Sequence, residues 1–101
     1  MSWSEVELKV IRWSEDRGII QNSDAQTQLL KAVSEMGELA DAVIKRDRGA
    51  IADGLGDVLV CLINVAAILD LDLTDCLSVA YEEIKDRKGY LTKDGVFVKE
   101  T

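Results

Sequence analysis

The stretch from Val58 to Leu69, VLVCLINVAAIL, is apolar at every position except Asn64. Coiled as a helix it presents hydrocarbon on nearly every side, a pattern expected only where other helices surround it. Twelve residues fall short of the about twenty needed to span a bilayer, so the stretch reads as a buried core helix and not as a membrane anchor. The whole chain has 101 residues, which makes a single domain, 1–101. Four short helices from one chain can barely enclose such a core. The pattern therefore predicts a second subunit against it, in a homodimer or homotetramer.

Helix is favoured throughout, because proline is absent and the seven glycines are scattered. A first helix is expected from about Ser4 to Arg17, with Val6, Val10 and Trp13 on one stripe, ending before Gly18. Ser23 or Asp24 caps a second, running to about Arg46. Its apolar residues Leu29, Leu30, Val33, Met36, Leu39, Ala40 and Val43 form an expected buried stripe, leaving Gln28, Lys31, Glu35 and Glu38 along another. Gly49 is expected to close a short basic connection to a third helix, from about Ile51 to Leu69. Thr74 would cap a fourth through about Lys88, with Leu77, Ala80, Tyr81 and Ile84 inward. Asp94-Gly95 between apolar residues marks a hairpin-like tail. The fold class is all-α: a four-helix bundle completed by dimerisation, with a short C-terminal hairpin-like tail.

A formal net charge of −7 would repel a polyanion, which excludes nucleic-acid polymer as the expected partner. A small anionic substrate stays compatible if a divalent metal neutralises the carboxylates. Residues 1–10 contain neither an apolar signal core nor a basic leader, so a cytoplasmic location is expected. Cys61 and Cys76 sit in helical patterns, and with no histidine in the chain zinc-type spacing is missing. Both read as buried, reduced thiols.

Nineteen acidic residues make any single carboxylate an expected surface group, so placement has to decide. Glu35 and Glu38 share one face of the second helix; Asp53 and Asp57 share one face of the third. Helices joined by a short turn run antiparallel, which can bring the two pairs together. Four converging carboxylates would repel unless protonated or metal-bound, and oxygen-only ligands select a hard cation, Mg²⁺ or Mn²⁺. The competing reading pairs these acids with Lys31, Lys45 or Arg46 on a solvated face. Asp57 tips the balance because it abuts Val58-Leu59-Val60, where an idle carboxylate is not expected. Asn64, two turns further along the same face, is either a ligand-binding group or a polar residue that fixes helix register across a dimer.

The stretches LLKAVSEMGELADAV and DGLGDVLVCLINVA, with the RWSEDRGI opening and the IKDRKG segment, resemble the MazG-like all-α nucleoside triphosphate pyrophosphohydrolases. That family is marked by EExxE, a variable spacer and ExxD, which bind Mg²⁺ on two antiparallel helices. Here Ser34 stands at the first Glu of EExxE and Gly54 at the Glu of ExxD, while Asp53 offers a carboxylate one residue earlier. The resemblance implies a (deoxy)nucleoside triphosphate cut to monophosphate and pyrophosphate at Mg²⁺ (or Mn²⁺) held by Glu35, Glu38, Asp57 and Asp53, with Glu35 or Glu38 as ligand or base. Cations for the remaining phosphate charge would come from Lys31, Lys85, Arg87 and Lys88. Trp13 could stack on the base. Two alternatives stand beside it: a phosphoribosyl-ATP pyrophosphohydrolase-like enzyme, and a catalytically weakened oligomeric nucleotide-binding or regulatory module.

Overall fold

A computed structural model of the chain describes residues 1–100. Its elements are α1 (Trp3–Asp16), α2 (Ile19–Asn22), α3 (Ala25–Lys45), α4 (Arg48–Ile68), α5 (Leu73–Ile84), β1 (Gly89–Leu91) and β2 (Phe97–Lys99). Each long helix begins on a side-chain cap of the type that satisfies free N-terminal amides. Ser2 accepts from the Glu5 amide, Asp24 from Thr27, Asp47 from Ala50, and Asp72 from Thr74 and Asp75. The fourth long helix is thus capped by Asp72, with Thr74 inside its first turn.

The α3–α4 connection is tighter than its sequence suggests. Arg46 takes the left-handed conformation (φ 58°) usually left to glycine, and the Asp47 amide bonds back to Ala42 O at 3.1 Å. Because Asp47 then caps α4 immediately, Gly49 lies within the helix and closes nothing. The short α2 was not foreseen: Gly18, at φ 75°, reverses the chain after α1 and one helical turn follows.

α3 and α4 form the antiparallel hairpin on which everything else rests. They approach closely at Gly54, where an added Cβ would lie 3.1 Å from Leu39 Cδ1 and 3.3 Å from Leu39 Cα. The buried side chains of α3 are Gln28, Ala32 and Ala42, so small residues and one amide face α4. The apolar stripe expected to be buried lies elsewhere: Leu29, Leu30, Val33, Met36 and Val43 are exposed, Leu30 by 63%. α1 packs on α4, with α2 beside it, and α5 meets the end of α4. Trp3 Nε1 adds a 2.7 Å bond to Thr74 Oγ1. Leu77, Tyr81 and Ile84, expected to face inward, are exposed, Leu77 by 69%. β1 and β2 pair antiparallel, Tyr90 opposite Val98, around a turn with Gly95 at φ 89°; this is the expected hairpin tail.

By itself α4, with 21 residues and a hydropathy of 1.9 over its most apolar window, is long and apolar enough to cross a membrane, more so than the 58–69 run alone suggests. Asp53, Asp57 and Asn64 on it, and its packing against α3, are the marks of a bundle helix. Cys61 is buried, Cys76 exposed, and both are free, so the expectation of two buried thiols holds for Cys61 alone.

Candidate active site

The register of the hairpin is fixed by contacts along its length. Asn64 Nδ2 on α4 donates to Gln28 Oε1 on α3 at 3.2 Å. Seven residues along each helix from that bond, about 10 Å at 1.5 Å per residue, Asp57 lies close enough to Glu35 to perturb its carboxyl. Gln28, Lys31 and Glu35 therefore form one wall of a cavity, and Asp57, Val60, Cys61 and Asn64 the other. Trp13 and Ile19 close it, and its volume is about 270 Å³. One end is amide and aromatic; the other is acidic.

The acidic end is built from like charges. Partial burial pushes the Glu35 carboxyl up from its ordinary range, and the charges of Glu38 and Asp57 add to this. A hydrogen bond with Glu38 also favours its protonated form, while Lys31 acts in the opposite direction. The Cys61 thiol is likewise pushed up, first by burial, with Lys31 opposing and the Glu35 and Asp57 charges reinforcing. No salt bridge neutralises the acids: among the described residues the ion pairs are Lys45–Asp41 at 2.8 Å and Lys85–Glu82 at 2.7 Å. This answers the solvated-face reading for Lys45, which pairs within its own helix.

Such a donor set suits a hard divalent cation, which would relieve the repulsion that raises Glu35. Among the described residues, no three His, Cys, Asp or Glu side chains are gathered closely enough to hold an ion on their own. Mg²⁺ does not require that, since it is commonly held by one or two carboxylates with water and substrate phosphate completing the shell. Glu35 and Asp57 are the two carboxylates in the cavity wall. Glu38 lies beside Glu35, toward the α3–α4 connection. Asp53 is exposed and does not line the cavity, and Asp57, expected to be buried, is also exposed in the single chain.

The remaining sequence candidates divide. Trp13, Lys31 and Asn64 line the cavity. Lys85, Arg87 and Lys88 do not: α5 leaves the end of α4 remote from Glu35, and Lys85 instead pairs with Glu82. Asn64 does not set register across a dimer, since its partners are in its own chain: Ser14 Oγ donates to Asn64 Oδ1 at 2.6 Å and Gln28 accepts from it. Sequence reasoning missed Arg17, whose guanidinium lies 4.1 Å over the Trp13 ring; the i,i+4 spacing of the two was the available signal. It also missed Ser14, for which no sequence signal existed, because a serine inside an amphipathic helix carries no mark of burial.

An antiparallel helix pair thus opens a cleft with two carboxylates at one end and two amides at the other, a donor set suited to metal-assisted hydrolysis. Residues 23–92 match the model of the MazG nucleotide pyrophosphohydrolase domain, and the chain belongs to that family. Its fold is similar to that of a cyanophage S-2L MazG-like pyrophosphohydrolase solved with dGDP and three catalytic Mn²⁺ ions per active site. The TM-score is 0.73 at 17% identity, over 100% of this chain and 95% of that one. An uncharacterized 18.2 kDa protein from the rep-hol intergenic region of Haemophilus phage HP1 is 36% identical over 55 residues, 54% of this chain. The match spans about a third, 34%, of that relative's length. Trp13 and Ser14, on α1, lie outside the segment that the family model matches, though inside the fold likeness, which covers the whole chain.

Proposed function

We propose that this chain is a divalent-metal-dependent pyrophosphohydrolase that cleaves a nucleoside triphosphate to its monophosphate and pyrophosphate, acting as a single helical domain on cytoplasmic nucleotides. The observation that carries the reading is the meeting of Glu35 and Asp57, with Glu38 beside them, about 10 Å along the cleft from the Asn64–Gln28 amides. That spacing suits a base at one end and phosphates at the other. Glu35 and Asp57 would hold Mg²⁺ or Mn²⁺, with Glu38 adjoining. When bound, the metal polarises the phosphates and supplies an activated water. Glu35 or Glu38 would serve as the base that accepts a proton from that water, the other remaining a ligand. Lys31 supplies positive charge at the cleft wall, and Trp13, held by Arg17, offers its face to the base.

A second copy completes the molecule. The chain exposes 7790 Å², whereas a folded monomer of 11.1 kDa is expected to expose about 5,700 Å². Its radius of gyration, 16.1 Å, exceeds the about 13 Å expected of a compact chain of this length. The excess surface is the size of a stable interface, and it is apolar: the outer stripe of α3 and the inner stripe of α5. A homodimer or homotetramer buries both, and is the setting in which Lys85, Arg87 and Lys88 could approach a cleft they do not reach in their own chain.

Pyrophosphate release from each ribo- and deoxynucleoside triphosphate, measured with Mg²⁺, with Mn²⁺ and after chelation, tests the reading. Metal-dependent release with monophosphate as co-product is expected; its absence for every substrate would refute it. Gly54 favours a second reading, a weakened binding module, because a glutamate there would collide with Leu39. Metal-dependent nucleotide binding without turnover would select it.

A further inference from the structure

Three of the chain's buried polar side chains form one chain of hydrogen bonds. Ser14, fully buried, donates from Oγ to Asn64 Oδ1 at 2.6 Å. Asn64, 3% exposed, donates from Nδ2 to Gln28 Oε1 at 3.2 Å. Gln28 donates from Nε2 to Ser23 Oγ at 3.2 Å. The bonds run one way and tie α1, α4, α3 and the end of α2 together. Asn64 and Gln28 line the cleft; Ser14 and Ser23 do not. A carboxamide has two N–H donors and two acceptor lone pairs. Each amide here spends one donor and one lone pair on the relay, leaving one of each.

We propose that Ser14 and Ser23 are positioning residues for nucleobase discrimination: they fix which way the Asn64 and Gln28 amides face, so that the spare donor and acceptor read a base edge. An amide free to flip presents N–H or C=O to the same place and cannot tell an amino group at purine C6 or pyrimidine C4 (adenine, cytosine) from a carbonyl at that position (guanine, uracil, thymine). Anchored at Oδ1 by Ser14 and at Nδ2 by Gln28, Asn64, only 3% exposed, cannot flip without breaking both bonds where unpaired polar groups are costly. The inference rests on the reading that the cleft takes a nucleotide, and adds what selects the base.

The test measures binding of the four deoxynucleoside monophosphates to the full chain by calorimetry, alongside thermal melting and pyrophosphate release from the matching triphosphates. Wild type is expected to separate adenine and cytosine from guanine and thymine. Ser14→Ala should shrink that ratio about tenfold, the equivalent of one hydrogen bond's orienting energy, and Ser23→Ala should shrink it less, in the same direction. Asn64→Asp, which offers acceptors only, should shift preference toward adenine and cytosine. A purely structural role would weaken all four ligands alike. Equal ratios in wild type, Ser14→Ala and Asn64→Asp would overturn the proposal, and if Ser14→Ala fails to fold, Ser23→Ala decides. Monophosphate selectivity does not require hydrolysis, so selectivity without pyrophosphate release would fail the hydrolase reading alone, and release with flat ratios would fail this one alone.

Discussion

The facing surfaces of α3 and α4 and the outward surface of α5 both carry helical stripes of nonpolar residues, but of different kinds. Between α3 and α4 the residues are small: Ala32, Ala42 and Gly54 let the backbones approach until Gly54 meets Leu39. On α5 they are large, and Leu77, Tyr81 and Ile84 lie open around a shallow groove. Small residues buy proximity, which holds two carboxylates and two amides at set positions along a cleft. Large ones offer area, which is what association between subunits uses. The first surface is packed within one chain and lines the cleft; the second lies open in the single chain.

Substitutions at the acids should separate these roles most widely. Asp57→Asn or Glu35→Gln removes a proposed metal ligand, and Glu38→Gln its neighbour. Loss of even an indirect metal contact typically costs 10–100-fold, so pyrophosphate release is expected to fall by at least about 100-fold in each. Particle size by light scattering should not change. Wild-type turnover in Glu38→Gln or Asp57→Asn would count against the site, and a change in size would mean that cleft and interface are not separable.

The converse substitution is Leu77→Asp with Ile84→Asp. Each large aliphatic side chain contributes roughly 1.5–3 kcal/mol when fully buried, and a carboxylate adds a desolvation cost. The expected outcome is dissociation at concentrations where wild type is assembled, at least about 100-fold higher than its own dissociation constant, read by sedimentation. An assembly of unchanged size would show that α5 is not the interface and leave the α3 stripe as the alternative.

These two surfaces also explain what could be read in advance. Of the four carboxylates expected to converge, Glu35 and Asp57 do line one cleft; the helices were legible because helical spacing acts locally, and the family because its motif stretches stand in the sequence. The buried stripe of α3 was not: Leu29, Leu30, Val33 and Met36 look like core to a hydropathy pattern, and so does any face meant for a second subunit. Ala32 and Ala42, which do pack inside the chain, carry too little hydrocarbon to stand out. Arg46 in a left-handed conformation could not compete on paper with Gly49, since only the Asp47 cap makes it the better stop. Lys85, Arg87 and Lys88 do not line the cleft of their own chain, because charge type says what a residue can bind and nothing about where the fold carries it.

The smallest expected effect gives the finest comparison, because it lies on a single helix. Gly54 and Gly56 are two residues apart on α4 and face different ways. Replacing glycine by alanine inside a helix is worth about 0.5–1 kcal/mol where the new methyl has room. At Gly56 nothing in the chain lies within 4 Å of an added Cβ, so Gly56→Ala should raise the melting temperature. At Gly54 the methyl would press on Leu39, including its Cα at 3.3 Å. Overpacking of that kind costs about 1–3 kcal/mol, which outweighs the helix gain, so Gly54→Ala should lower stability by roughly 1 kcal/mol and disturb the cleft it supports. Differential scanning calorimetry on both variants checks the signs. If Gly56→Ala proves destabilising instead, space that is empty in one chain is filled in the assembly, and the interface reaches α4 as well as α5.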